Sequence, residues 1–168
     1  TMGSHETILC EVQDGIATLT LNRPKSLNAI NRQMADEMTQ ALTHLAADAS
    51  VRVLLLRGAG DAFCAGGDVR DMAGAMTKEG PRSADEALEG MARYRRLTLA
   101  LHSFQRPVIA AVDGVAFGAG MSLALLADLV LLSERARLCL VFQRVGLVPD
   151  CGALYTLPRL VGLQQAKA

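Results

Sequence analysis

Two stretches of this chain repeat one design: an apolar run suited to a β-strand, a turn of small residues, and then a helical pattern. The first runs from Leu54-Leu55-Leu56 into Arg57-Gly58-Ala59-Gly60 and on through Phe63-Cys64-Ala65-Gly66-Gly67-Asp68. The second runs from Val112-Asp113 into Gly114-Val115-Ala116-Phe117-Gly118-Ala119-Gly120. Small residues let a ligand approach the backbone, and the N–H groups of a helix's first turn have no partner inside the helix. Such a turn suits an anion or a developing oxyanion. A single turn of this kind ordinarily means only a tight bend and close helix–sheet packing; two of matching build weaken that explanation without removing it.

The elements between them follow from periodicity. Ile8 to Val12 and Ile16 to Leu21 flank Asp14-Gly15, a hairpin signal. Met34, Met38, Leu42 and Leu45 recur at helical spacing from about Asn31 to Ala47. Val51 to Leu56 and Pro107 to Asp113 read as strands covered on both faces. The charged stretch from Ala73 to Leu101 reads as a mobile loop and then a helix carrying Leu97 and Leu101. After the second turn an apolar helix runs through about Ala127, followed by short strands at Leu129 to Leu132 and Leu138 to Val141, a loop at 146–152, and helical sequence from Ala153 to Leu160 and again after Gly162. Strands alternating with helices predict an α/β fold. Residues 1–6 read as a tail or cloning remnant, and 7–168 as one domain, incomplete at its C-terminus.

Composition narrows the function. The 168 residues carry 17 Lys plus Arg against 17 Asp plus Glu, which argues against a nucleic-acid binder, since that needs a cationic surplus. The longest charge-free run near the middle, Gly114 to Ala127, is too short for the ~18 residues of a membrane span. Four scattered cysteines have neither zinc nor redox-pair spacing, and no signal-peptide pattern opens the chain, so a reduced, cytoplasmic protein is expected. The mean hydropathy of +0.25 points to apolar surface covered by a partner or by further chain.

Three specific chemistries can be tested on the letters. The second turn runs Gly114-x-x-x-Gly118-x-Gly120, which is neither a dinucleotide fingerprint nor a P-loop. Gly120-Met121-Ser122-Leu123-Ala124 approaches a nucleophile elbow, but His5, His44 and His102 all precede the serine, the wrong order for that fold. No histidine pair or carboxylate cluster has metal-ligand spacing.

Four ordered segments do carry a resemblance: Leu21-Asn22-Arg23-Pro24-Lys25-Ser26-Leu27-Asn28-Ala29, Phe63 to Val69, Pro107 to Gly114, and Gly146-Leu147-Val148-Pro149-Asp150. Their order resembles the crotonase superfamily of enoyl-CoA hydratases and isomerases, from about Ile8 to the end. The resemblance implies a ββα spiral core lacking its C-terminal helical part. It also implies a homotrimer or dimer of trimers, and a coenzyme A thioester as substrate, with no separate cofactor. The thioester oxygen would sit between the N–H groups of Gly67 and Ala119. Arg23, Lys25, Ser26, Leu27, Ala29, Ala65, Gly66 and Asp68 match positions near the coenzyme, with Arg23 and Lys25 placed to meet its phosphates. Gly118 belongs to the same turn as Ala119.

The chain departs from the hydratase pattern at both catalytic glutamates, where Ser122 and Phe142 stand. Phe142 is expected to shape the acyl pocket, and Ser122 to hydrogen-bond locally to backbone. Asp150 matches the single carboxylate of the isomerase-type branch; on the letters alone it is equally a cap for the helix near Ala153. The implied activity is an acyl-CoA isomerase that moves a double bond, or opens or rearranges a ring, through a thioester enolate. An aryl-CoA dehalogenase and a non-catalytic thioester-binding protein are the alternatives.

Overall fold

In the computed structural model, residues 5–71 and 83–167 are described. Strand β1 (Ile8–Gln13) pairs antiparallel with β2 (Ile16–Leu21), the expected hairpin. Helix α1 (Arg32–Ala47) starts where Asn31 caps it, its side-chain oxygen accepting the Met34 N–H at 2.9 Å. The i, i+4 stripe Met34, Met38, Leu42 and Leu45 faces the core as the spacing predicts.

From there the chain winds as a spiral. Strands β3 (Val53–Gly58), β5 (Val108–Val112) and β7 (Leu129–Leu132) extend the hairpin into one five-stranded sheet, ordered β1-β2-β3-β5-β7 and parallel from β2 onward. Each of these three is followed directly by a three-residue strand, β4 (Ala62–Cys64), β6 (Val115–Phe117) or β8 (Arg137–Cys139), and those form a second, parallel sheet ordered β4-β6-β8. Helices α2 (Ala84–His102) and α3 (Ala119–Ala124) return the chain from the small sheet to the large one. Past β8, residues Val141–Val145 form a 3-10 turn, and α4 (Ala153–Val161) and α5 (Leu163–Ala166) end the described chain.

The α/β fold is as expected, with four corrections of detail. Each glycine-rich turn contains a strand, so both belong to a second sheet. The apolar helix after the second turn stops at Ala124 and not near Ala127. The last strand covers 137–139, and Val141 opens the 3-10 turn. The strands β3 and β5 are buried on one face only: Leu54, Leu56, Val108, Ala110 and Val112 are buried, while Leu55, Ile109 and Ala111 are half-buried. Of the expected loop before α2, residues 72–82 lie outside the described residues. Leu129, Leu131, Leu154, Leu160 and Leu163 are exposed, the apolar surface that the hydropathy foreshadows. None of the described helices is long and apolar enough to cross a membrane.

Candidate active site

Pairing of β4 with β6 sets Ala62 beside Val115 and Cys64 beside Ala116, so the chain leaves both strands into two neighbouring turns. Two glycines let those turns touch. A Cβ on Gly66, whose φ is +105°, would stand 2.9 Å from the Phe117 carbonyl oxygen and 3.7 Å from the Ala119 nitrogen. A Cβ on Gly120 would overlap the Cys64 carbonyl. The backbone of residue 66 therefore lies against residues 117–119, and no side chain separates them.

Two amides in this contact have no acceptor among the described residues. The Ile30 N–H donates to the Gly66 carbonyl at 2.7 Å and the Asp68 N–H to the Ile30 carbonyl at 2.9 Å, gripping Gly67 on both sides. Among the described residues, no acceptor takes the N–H of Gly67 or that of Ala119, the first residue of α3. Gly118 is tied down by its own N–H, which donates to the Cys139 carbonyl at 2.9 Å.

The loop from Arg23 to Ala29 runs beside the first turn, with the Ala65 N–H donating to the Leu27 carbonyl at 2.9 Å. Pro24–Ser26 is a 3-10 turn, after which Leu27 and Asn28 take left-handed φ of 49° and 55°. Buried Asn28 holds this strained bend. Its amide donates to the carbonyls of Ala59 at 2.9 Å and Ala62 at 2.7 Å, and its oxygen accepts the Arg23 N–H at 2.9 Å. Asn28→Ala would strand three backbone groups at a cost of about 2–4 kcal/mol, measurable as a lower midpoint in urea unfolding. Lys25 and Leu27 are exposed, while Ser26, Ala29 and Ala65 are half-buried.

Arg23 is engaged within the protein. Its guanidinium pairs with Asp68 at 2.9 Å and donates to the Ala29 carbonyl. Loss of water pushes the Asp68 carboxyl up, but the Arg23 hydrogen bond and charge, with the N–H groups of Arg70 and Asp71, hold it below its ordinary value. The pair ties the loop to the first turn.

Phe142 is buried with its ring beside Gly118, Cζ lying 3.8 Å from where a Cβ there would be. Ser122 has no exposed surface and donates its hydroxyl to the Gly118 carbonyl at 3.1 Å. It supports the turn as a local backbone hydrogen-bonder does.

Asp150 precedes α4 but does not cap it, since the cap residue is Gly152 and no side chain bonds the helix start. As a residue it is exposed. Its carboxyl is nonetheless crowded enough that desolvation raises it above the ordinary Asp value, against opposing hydrogen bonds from the Cys151 side chain and its own N–H. Crowding around the carboxyl governs its protonation more directly than the exposure of the whole residue. Cys151, at φ 49°, is buried, and burial with the Asp150 charge pushes its thiol up. Burial likewise raises the Cys64 thiol to about 12, so neither is a thiolate at neutral pH.

Tyr94 of α2 connects the two halves. Its hydroxyl donates to the Ile30 carbonyl at 2.9 Å, and burial, with the Asp150 charge nearby, pushes the phenol pKa up. Neither Tyr94 nor the anchoring role of Asn28 was flagged by pattern: Asn28 lies inside a quoted motif, but Tyr94 sits in a charged stretch without one.

The enoyl-CoA hydratase/isomerase family model matches residues 11–168. The 1,2-epoxyphenylacetyl-CoA isomerase of Escherichia coli (strain K12) is 41% identical over 161 residues, 96% of this chain and 60% of that protein. A protein of Rhodobacter capsulatus described as a probable enoyl-CoA hydratase is 42% identical over 165 residues, 97% of this chain and 60% of its own length. A solved Streptomyces coelicolor A3(2) structure assigned as an enoyl-CoA hydratase superposes with a TM-score of 0.90 at 38% identity, covering 98% of this chain and 59% of that one. The chain thus spans about 60% of the length of these relatives.

Proposed function

The chain belongs to the enoyl-CoA hydratase/isomerase family, and on that premise we propose that it carries the thioester-polarising site of an acyl-CoA isomerase. Members of the family act on acyl-CoA thioesters. The observation behind the finer reading is the contact of two turns whose Gly67 and Ala119 N–H groups have no acceptor among the described residues. A thioester oxygen set between them gains two donors where negative charge develops. Lys25, Ser26, Leu27, Ala29 and Ala65 form the coenzyme side of the cleft in this reading, and Phe142 the acyl side beside Gly118.

Asp150 is the base. With a 3-enoyl-CoA, its carboxylate takes a proton from the carbon next to the thioester. The C–H electron pair then forms the dienolate, whose oxygen charge rests on the two amides. Returning the proton two carbons away leaves the conjugated 2-enoyl-CoA, so one carboxyl serves both transfers. A hydratase also needs groups to activate and deliver water, and Ser122 and Phe142 at the two glutamate positions provide neither. The E. coli relative, a 1,2-epoxyphenylacetyl-CoA isomerase by name, favours an isomerase, in the form that opens or rearranges a ring. A homotrimer belongs to this reading, and the exposed leucines of β7 and α4 fit a surface covered by a partner or by further chain.

The full-length protein containing this chain, given a 3-enoyl-CoA, should yield the 2-enoyl-CoA. In D2O, deuterium should appear at the carbons that exchange protons. Given a 2-enoyl-CoA, it should add no water, as followed by mass spectrometry. A 3-hydroxyacyl-CoA as main product would overturn the proposal.

A further inference from the structure

We propose that Tyr94 is a positioning residue that fixes the direction of the Gly67 N–H, an inference resting on the oxyanion reading of that amide. In a trans peptide the N–H points opposite to the C=O of the same plane. The Gly66 carbonyl is aimed at the Ile30 N–H, 2.7 Å away, so the Gly67 N–H is aimed the other way. The setting of Ile30 therefore decides where the donor points. The Ile30 carbonyl accepts the Asp68 N–H and the Tyr94 hydroxyl, each at 2.9 Å, which uses both of its lone pairs. The next residue, Asn31, is fixed as the cap of α1.

Tyr94 is brought to Ile30 by α2, whose Leu97 and Leu101 are locked in the core. The phenol is half-buried, and burial, with the nearby thiol and carboxyl groups, lifts its pKa well above the ordinary range. It therefore stays a donor wherever Asp150 can act as a base. Tyr94 does not touch the polarised oxygen in this arrangement; it acts through Ile30 and Gly66.

The test uses the full-length protein, an unreactive acyl-CoA and Tyr94→Phe, which removes one hydroxyl and keeps the ring. In the wild type, the infrared stretch of the bound thioester carbonyl should fall below its value in water. In Y94F that shift should shrink. The turnover number should drop about tenfold, less than for loss of a direct donor, with KM within about twofold. Amide hydrogen exchange should quicken at 66–68 but not at 119–121, and the acid limb of the rate profile should stay in place. A Y94F that keeps the full carbonyl shift overturns the role of Tyr94 and leaves the oxyanion reading standing, even if its turnover falls. A wild type with no shift overturns the oxyanion reading and this inference with it. Should Y94F be recovered unfolded, exchange in the wild type decides: an Asp68 amide exchanging as fast as an exposed loop amide denies the grip.

Discussion

Asp150→Asn in the full-length protein should lower turnover of a 3-enoyl-CoA by about 10²–10⁴-fold while an unreactive acyl-CoA still binds. Asparagine keeps the shape and removes the basic oxygen, so the loss falls on proton transfer. The pH dependence of kcat/KM supplies the second half of the expectation. The folded carboxyl is raised by desolvation, and only its ionised form accepts a proton. The rate should therefore fall as pH drops through that raised value, giving an acid limb above the ~3.9 of an unperturbed aspartate. In D150N the limb should vanish together with the rate. Linkage runs the opposite way: a carboxyl raised on folding stabilises the protein below its unfolded value and loses that contribution as pH rises through the folded one. Thermal midpoints should accordingly respond to D150N by a gain, if anything, at neutral pH. A variant with wild-type turnover would remove Asp150 from the chemistry.

Gly66→Ala should cost about 10²–10³-fold in turnover, the scale of losing one oxyanion donor. The new methyl meets the Phe117 carbonyl at 2.9 Å, and Phe117 is held in β6 by its neighbours β4 and β8. The first turn has to back away, and a φ of +105° is strained for any L residue. Either adjustment separates the Gly67 and Ala119 amides. Gly146→Ala is the control, because Gly146 also has positive φ but nothing within 4 Å of a Cβ. It should lower the thermal midpoint by a comparable backbone strain and leave turnover of the same order. Equal turnover losses in the two variants would mean that strain, and not the contact of the turns, is what matters.

Much of this architecture was legible because it is written locally. Asp14-Gly15 between alternating runs marks the hairpin, and the Met34 to Leu45 stripe marks α1 almost to the residue. The glycine-rich stretches pointed to backbone donors before their neighbours were known. The second sheet was not legible: three residues such as Ala62-Phe63-Cys64 are too few to show a period, and they become a strand only through partners about fifty residues away. The same holds for Asn28 and Tyr94. An asparagine in a loop and a tyrosine in a charged helix look ordinary until distant carbonyls are found at their donors. Arg23 shows the same limit, since the motif around it suggests a phosphate partner, and its ion pair with Asp68 is visible only once the loop and the first turn are brought together.

In the proposed mechanism the polarising donors belong to the main chain, so no single codon spells them. On the proposed mechanism, exchanging Phe142 or Asp150 for other side chains changes which proton moves, or whether water is recruited, without dismantling the cradle that holds the enolate charge. A scaffold of this kind separates the costly part of the catalyst, which needs the whole spiral to close, from the inexpensive part, which one substitution can rewrite.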